Sequence, residues 1–202
     1  MTEDWFGSWD ARPEELNEIL SRNPSLRGML HGYLAEEKVK RVWFEGSEDV
    51  TNLFSPDDHD RDLKGDWILD YEGEEIVVEV KSLQSNHVER IDDPESEVEW
   101  NGKFQCDASD RRPVTLPTGE TMETTCLVVG QFDLLAINLF EFGGEWRFAF
   151  AKNEDLPRTP YSGYTEEQRE HLIKGTMAIT LPLEAPFHDE PWTPLDETVA
   201  ER

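Results

Sequence analysis

A β-hairpin over residues 65–81 is the feature of this sequence that most constrains its fold. Apolar and polar residues alternate on both sides of Glu72-Gly73, which is the pattern of two strands joined by a tight turn. If these two residues form the loop, Tyr71 pairs with Glu74 and the register of the other pairs follows. The apolar side chains then share one face of the hairpin, and we expect this face to pack into a core.

The other face of the hairpin carries charge at its open end. The same register sets Asp66 directly opposite Glu79, and Lys81 follows two residues later on the same face. Opposed like charges destabilise a sheet, so we interpret the group as a functional exception that a bound cation would neutralise. A structural interpretation stays open, because an acidic chain sets carboxylates opposite each other by chance. A register shifted by two residues would pair Asp66 with Lys81 instead.

Periodicity and turn residues predict alternating helices and strands in the rest of the chain. Thr165 and Gln168 have the spacing of a capping box, and Ser25 is a candidate N-cap. The expected helices cover residues 13–22, 25–44 and 165–174. The other expected strands cover residues 50–54, 99–107 and 146–151, with an edge strand at 177–183, and the most apolar stretch, 124–142, is expected to be central. Residues 111–123 are expected to form a turn-rich insertion.

The chain length of 202 residues predicts one domain with a substantial core. We expect the core to span about residues 24–183, with residues 1–12 and 186–202 as irregular arms. No apolar run approaches membrane-spanning length, and the N-terminus lacks the pattern of a signal peptide. Cys106 and Cys126 match neither a zinc site nor a disulfide framework. These features predict a cytoplasmic protein with no membrane partner.

The net charge of −26 restricts the partners of the chain. Such a surface repels nucleic acid at ordinary salt. Three interpretations are adaptation to high internal salt, mimicry of nucleic acid, and binding to a basic partner. We favour a salt-adapted, halophilic source, because the acidic residues are spread along the whole chain. High salt screens such charges within a few ångströms, so a nucleic-acid substrate is not excluded.

A helical glutamate, followed by an aspartate and a Glu-X-Lys triplet in successive strands, resembles the PD-(D/E)XK nuclease superfamily. The matching residues are Asp66, the triplet Glu79-Val80-Lys81, and Glu36. Glu36 ends Gly32-Tyr33-Leu34-Ala35-Glu36, whose spacing resembles the Gly-X3-Glu of archaeal resolvase-like and Mrr-like members. The resemblance covers roughly residues 24–84, and the later strands would complete the sheet.

The sequence departs from the family pattern before the aspartate. Lys64-Gly65 precedes Asp66 where many members have proline. A literal Pro-Asp occurs at Pro56-Asp57, but it is too far from Glu79 for a simple hairpin. Glu37 is an alternative to Glu36, because both lie within one turn of the same helical stripe.

The resemblance implies an α/β fold of restriction-endonuclease type, with a mixed β-sheet flanked by α-helices. It implies that Asp66, Glu79 and the Val80 carbonyl hold Mg²⁺, with Mn²⁺ as a substitute. Lys81 would position the attacking water and stabilise developing negative charge, and Glu36 would bind a second metal or a water. The structural alternatives are a plain ion pair for Lys81 and a solvated helix face for Glu36.

The implied function is hydrolysis of phosphodiester bonds by a Mg²⁺-dependent endonuclease, with DNA as the expected nucleic-acid substrate. A homodimer is compatible with this function, although nothing in the sequence identifies a dimer surface. The alternative is a non-catalytic acidic interaction protein, or a nucleic-acid mimic, on a nuclease-like fold. The Asp66, Glu79 and Lys81 group distinguishes the two, because a mimic has no use for a lysine between two metal-binding acids.

A few further polar residues are candidates for phosphate contact. They are Gln84 and the basic clusters Lys38, Lys40, Arg41 and Arg111-Arg112, all of which are also compatible with ordinary surface positions. The segment Asp58–Asp62 begins like a calcium-binding loop. Its glycine and its last carboxylate are missing from the required positions, so we expect a solvated acidic loop.

Overall fold

Helices come first along the chain, and strands dominate the rest of it. The computed structural model describes residues 4–56 and 65–202, so Asp57 and the segment Asp58–Asp62 lie outside the described residues. The helices are α1 (Trp5–Ser8), α2 (Pro13–Arg22), α3 (Pro24–Val39), α4 (Glu166–Glu170) and α5 (Trp192–Ala200). The strands are β1 (Val50–Phe54), β2 (Trp67–Tyr71), β3 (Glu74–Ser82), β4 (Glu89–Arg90), β5 (Trp100–Gln105), β6 (Asp107–Thr115), β7 (Thr121–Cys126), β8 (Leu134–Asn138), β9 (Phe148–Lys152) and β10 (Thr176–Leu181).

The predicted hairpin forms, with the predicted register. β2 and β3 pair antiparallel, and Tyr71 lies opposite Glu74. Glu72 and Gly73 have φ angles of 52° and 90°, as the type I′ turn of a two-residue hairpin loop requires. The alternative register, shifted by two residues, is wrong.

The hairpin belongs to a five-stranded mixed sheet in the order β1-β2-β3-β8-β9. β3 and β8 run parallel, and the other neighbouring strands run antiparallel. Every residue of β8 and β9 is buried, as expected for strands that are covered on both faces. The predicted class, an α/β fold with a mixed sheet and flanking helices, is therefore confirmed.

One face of this sheet packs against helices. Leu69, Ile76 and Val78 are fully buried there with Ala35 of α3 and Leu195 of α5. The opposite face packs against the three-stranded sheet β10-β5-β4 through a second apolar cluster, which includes both Cys106 and Leu135. The apolar face predicted for the hairpin thus lies in the core.

The helices differ from the sequence prediction mainly near the C-terminus. α2 has the predicted bounds, and α3 continues as a π-helical turn over Lys40–Phe44. α4 is shorter than predicted but keeps the capping box of Thr165 and Gln168. The segment 186–202, expected to be irregular, contains α5. The Glu190 carboxylate accepts hydrogen bonds from the Trp192 and Thr193 amides. It thereby supplies an acceptor for two of the N–H groups that have no partner within the first turn of α5.

The region from residue 107 to 126 differs most from its prediction. The expected turn-rich insertion and the beginning of the apolar stretch 124–142 form part of a two-stranded sheet of β6 and β7. Threonine-rich β7 has β propensity without an apolar pattern, so periodicity did not identify it. Pro113 is tolerated because each strand of a two-stranded sheet has an open edge.

The chain divides within α3 into two compact units, Met1–Leu34 and Ala35–Arg202. In the first unit, no residue of α1 or α2 is buried. The second unit contains every strand and both apolar clusters described above. Within the described residues, no helix combines the length and the apolar character needed to cross a membrane.

Candidate active site

Asp66 lies where the regular pairing of β2 with β3 ends. The last regular pair is Trp67 with Val78. The Asp66 amide donates to the Val78 carbonyl over 2.8 Å, and Asp66 Oδ2 accepts a hydrogen bond from the Val80 amide over 2.6 Å. The carboxylate therefore occupies the place of the next backbone acceptor along β3. Asp66 and Glu79 therefore do not form the regular cross-strand pair that the register predicts. The Asp66 side chain instead bonds to the backbone of Val80.

Gly65 allows the chain to approach β3 closely just before Asp66. Its φ is +80°, and a Cβ at this position would lie 2.5 Å from Val77 Cγ1 and 2.9 Å from the Val78 carbonyl oxygen. Only glycine avoids both the strained backbone and the close contact. The residue before the aspartate is thus fixed by the approach of the chain to β3.

Glu79 and Lys81 project from β3 on the face opposite to the buried Val78 and Val80. Lys81 Nζ lies 2.5 Å from Glu79 Oε1, and their side chains retain only 21% and 15% of their exposure. An ion pair with so little exposure is not an ordinary surface pair. The ion pair that the structural alternative gives to Lys81 is therefore present, and it lies beside Asp66 in a recess that Asp66, Glu79 and Lys81 line together.

The charges in this recess are unbalanced. Burial raises the pKa of Asp66 to about 7, and repulsion by the carboxylates of Glu79 and Glu36 adds to the effect. Burial alone would lower the pKa of Lys81, but Glu79 and Asp66 hold this pKa above its ordinary value. Lys81 is therefore protonated at neutral pH, and the carboxylates outnumber it.

Glu36 acts on Asp66 from α3. The Glu36 carbonyl accepts a hydrogen bond of 3.0 Å from Trp67 Nε1, and its carboxylate contributes to the raised pKa of Asp66. The alternative residue, Glu37, instead approaches Lys40 and Arg41, each at 3.5 Å. Glu36, rather than Glu37, is therefore the helical glutamate whose charge acts on Asp66, and it is not among the residues that line the recess.

The donor atoms fit a hard divalent cation that keeps part of its water shell. In an extended strand the N–H and C=O of one residue point to the same side, so the Val80 carbonyl faces the side on which its amide meets Asp66. Across residues 4–56 and 65–202, no three acidic, histidine or cysteine side chains converge as a metal-binding group. Mg²⁺ needs only one or two carboxylates with several waters, which Asp66 and Glu79 can provide.

The recess opens into a cleft of about 730 Å³ between β3 and the β6–β7 sheet. The sequence pattern predicts Asp66, Glu79 and Lys81 as site residues but assigns no role to several polar side chains that line the same cleft. These are Gln105, Asp107, Ser109 and Gln131, and they are joined by Arg112. Among these residues, only Arg112 is marked by the sequence, because it belongs to the basic pair Arg111-Arg112 that is a candidate for phosphate contact. Their convergence depends on non-local strand packing, which periodicity does not reveal.

The other candidate phosphate contacts lie elsewhere or act indirectly. Lys40 lies 4.8 Å from the centre of the Trp67 ring, and Lys38 lies 5.7 Å from that of Trp146. Both lysines thus have aromatic partners. Gln84 Nε2 donates to Gln105 Oε1 over 3.0 Å, so Gln84 supports a side chain of the cleft.

Comparisons with known proteins leave the family of the chain open. No family model matches it, and no curated protein matches its sequence. Among solved structures, the bacterial homing endonuclease I-Ssp6803I is similar over 86% of this chain and 96% of its own, with 16% identity and a TM-score of 0.41. A similarity at this level does not define family or activity.

Proposed function

We propose that this chain is a Mg²⁺-dependent nuclease of the PD-(D/E)XK type, which hydrolyses phosphodiester bonds in nucleic acid, with DNA as the expected substrate. The observation that carries the proposal is the arrangement of Asp66, Glu79 and Lys81. Two carboxylates and a protonated amine share one recess at the base of an open cleft. A buried acid whose pKa is shifted by burial and by specific charged neighbours, and which lines a cleft, is a candidate for a functional site.

Asp66 and Glu79 are the proposed metal-binding carboxylates, with the Val80 carbonyl as a third donor. Bound there, Mg²⁺ would neutralise charge on a phosphate and increase the acidity of a water. Asp66 is fixed by the Val80 amide, and a carboxylate can use its second oxygen while the first accepts this hydrogen bond. Mn²⁺ is the expected substitute.

Lys81 is the proposed electrostatic residue of the reaction. Its raised pKa keeps it protonated, so it can stabilise the negative charge that develops on a phosphate oxygen and orient the attacking water. It is unsuited to accept a proton. Glu79 holds the ammonium group in place at 2.5 Å, and Glu36 is proposed to orient a water or a second cation from α3.

The net charge of −26 favours a second candidate, an acidic interaction protein or nucleic-acid mimic. On this alternative the ligand is a basic protein, and the recess has no catalytic role. The nuclease proposal accounts for the charge by adaptation to high salt, where screening allows a polyanion to approach. A substrate must then be tested at high KCl concentration.

The experiment is cleavage of plasmid and single-stranded DNA in molar KCl, with Mg²⁺ or Mn²⁺ and with chelator. Wild type is compared with Glu79→Gln and with the matched control Glu75→Gln. Glu75 lies on the same strand and face but is exposed near the turn. The proposal predicts metal-dependent cleavage that Glu79→Gln abolishes and Glu75→Gln preserves. Absence of cleavage with either metal, together with tight binding of a basic protein, would support the second candidate.

A further inference from the structure

Two clefts meet at Arg112 and Gln131. The cleft that contains Asp66, Glu79 and Lys81 has a volume of about 730 Å³. Most residues that line a neighbouring cleft of about 400 Å³ have apolar side chains, among them Val114, Leu116 and Val129. Arg112 and Gln131 line both. A ligand that extends from the first cleft to the second must therefore pass the guanidinium group.

Arg112 is fixed in position but incompletely paired. Its Nη2 lies 3.4 Å from Gln131 Oε1, and the same oxygen accepts a hydrogen bond of 3.2 Å from the Val128 amide. Arg112 Nη1 is buried and lacks a hydrogen-bond partner among the described residues. Burial of an unpaired charged donor is unfavourable, so an acceptor that reaches Arg112 Nη1 would stabilise this arrangement.

The pairing of β6 with β7 selects Arg112 over its neighbour. The register shifts between Asp107 and Arg112, and adjacent strand residues face opposite sides. Arg111 is exposed, and its Nη2 donates to the Glu123 carbonyl over 3.1 Å. Arg111 is therefore tied to the outside of the β6–β7 sheet and provides a matched control.

We propose that Arg112 binds a second phosphate of the same nucleic-acid strand, next to the phosphate held at Asp66, Glu79 and Lys81. A guanidinium group matches phosphate oxygens with paired N–H donors. The 400 Å³ cleft would take the sugar and base beyond that phosphate. The inference rests on the proposed function, and it makes Arg112 a substrate-positioning residue that does not touch the reacting atoms.

The test measures binding of a fluorescein-labelled oligonucleotide by anisotropy, with Ca²⁺ in place of Mg²⁺, over a series of KCl concentrations. Arg112→Gln is compared with wild type and with Arg111→Gln. Loss of one phosphate contact predicts at least about tenfold weaker binding for Arg112→Gln and a salt slope smaller by about 1. Arg111→Gln should stay within about twofold of wild type. Equal binding by Arg112→Gln and wild type overturns the inference.

A second measurement uses wild-type protein and needs no folded variant. Oligonucleotides with one methylphosphonate linkage lack the charge of a single phosphate. The inference predicts that wild type has one sensitive linkage, next to the cleaved one. Uniform tolerance of these linkages contradicts it, while cleavage that still depends on Glu79 leaves the proposed function standing. If wild type neither binds nor cleaves nucleic acid, both proposals fail.

Discussion

The Asp66 carboxylate accepts a hydrogen bond from the Val80 amide, with 2.6 Å between Oδ2 and N. This contact replaces a rung of the β-ladder just before β2 begins at Trp67. It also sets the Val80 carbonyl on the same side as Asp66, since both backbone groups of an extended residue share a side. One departure from regular pairing thus gathers two of the three proposed metal donors.

Replacement of Asp66 by asparagine should stabilise the metal-free protein at about pH 8. The pKa of Asp66 is raised from 3.8 to about 7, so between these values the native state holds a proton that the unfolded state releases. The free energy of unfolding therefore falls as the pH rises through this window, by up to about 1.4 kcal/mol for each pH unit. Asparagine does not titrate and can still accept the Val80 hydrogen bond.

The measurement for Asp66→Asn is urea denaturation in the presence of chelator, at about pH 4 and about pH 8. We expect the variant to gain a few kcal/mol over wild type at the higher pH and little at the lower. A stability difference between Asp66→Asn and wild type that is the same at both pH values would show that the Asp66 charge is not disfavoured in the native state.

Mg²⁺ should raise the melting temperature of wild type, and the increase should shrink as the pH falls below about 7. Protons compete with the cation for Asp66, whose pKa is about 7, and a ligand that binds only the native state stabilises it. Differential scanning calorimetry with and without Mg²⁺ measures the shift. Glu75→Gln should retain it and Glu79→Gln should lose it, whereas an equal shift in both variants would place the cation elsewhere.

Gly65→Ala should cost more stability than Gly46→Ala. Both glycines have positive φ, +80° and +90°, but only at Gly65 would a Cβ collide with β3, at 2.5 Å from Val77 Cγ1. Backbone strain alone costs about 1–2 kcal/mol, so Gly46→Ala gives the strain without the collision. Chemical denaturation of both variants measures the difference, and equal losses would show that the approach of Gly65 to β3 is loose.

Leu195→Ala should destabilise the protein by about 2–5 kcal/mol, the usual range for a leucine removed from a packed core. Leu195 of α5 is fully buried in the cluster that covers one face of the main sheet. Glu197→Ala, which alters an exposed residue of the same helix that approaches Lys152 at 3.7 Å, is the control and should cost less. If the two losses are similar, α5 is not part of the core.

The sequence was sufficient where the determining interactions are local. The Glu72-Gly73 turn fixes the register of β2 and β3, so the proximity of Asp66 to Glu79 could be predicted. The capping box at Thr165 and the alternation of β3 are local in the same sense.

The remaining differences come from tertiary packing. Arg112 reaches the cleft through a register shift between β6 and β7, and a shift of this kind leaves no periodic signal. α5 is a short segment with a proline at position 194, and it is stabilised by burial of Leu195 and by the hydrogen bond of 2.6 Å from Tyr71 Oη to Asp196 Oδ1. Tyr71 lies in β2, far from α5 in the sequence, so local patterns do not predict this contact.

The most direct measurement is the single-turnover rate of DNA cleavage by wild type and Lys81→Met in molar KCl with Mg²⁺, alongside Mn²⁺ binding by calorimetry. The nuclease account predicts a loss of at least about a hundredfold in rate, as expected for removal of a charge-stabilising group, with Mn²⁺ binding retained. Cleavage by Lys81→Met at the wild-type rate, or a wild type that binds no Mn²⁺ and cleaves no DNA, would contradict it.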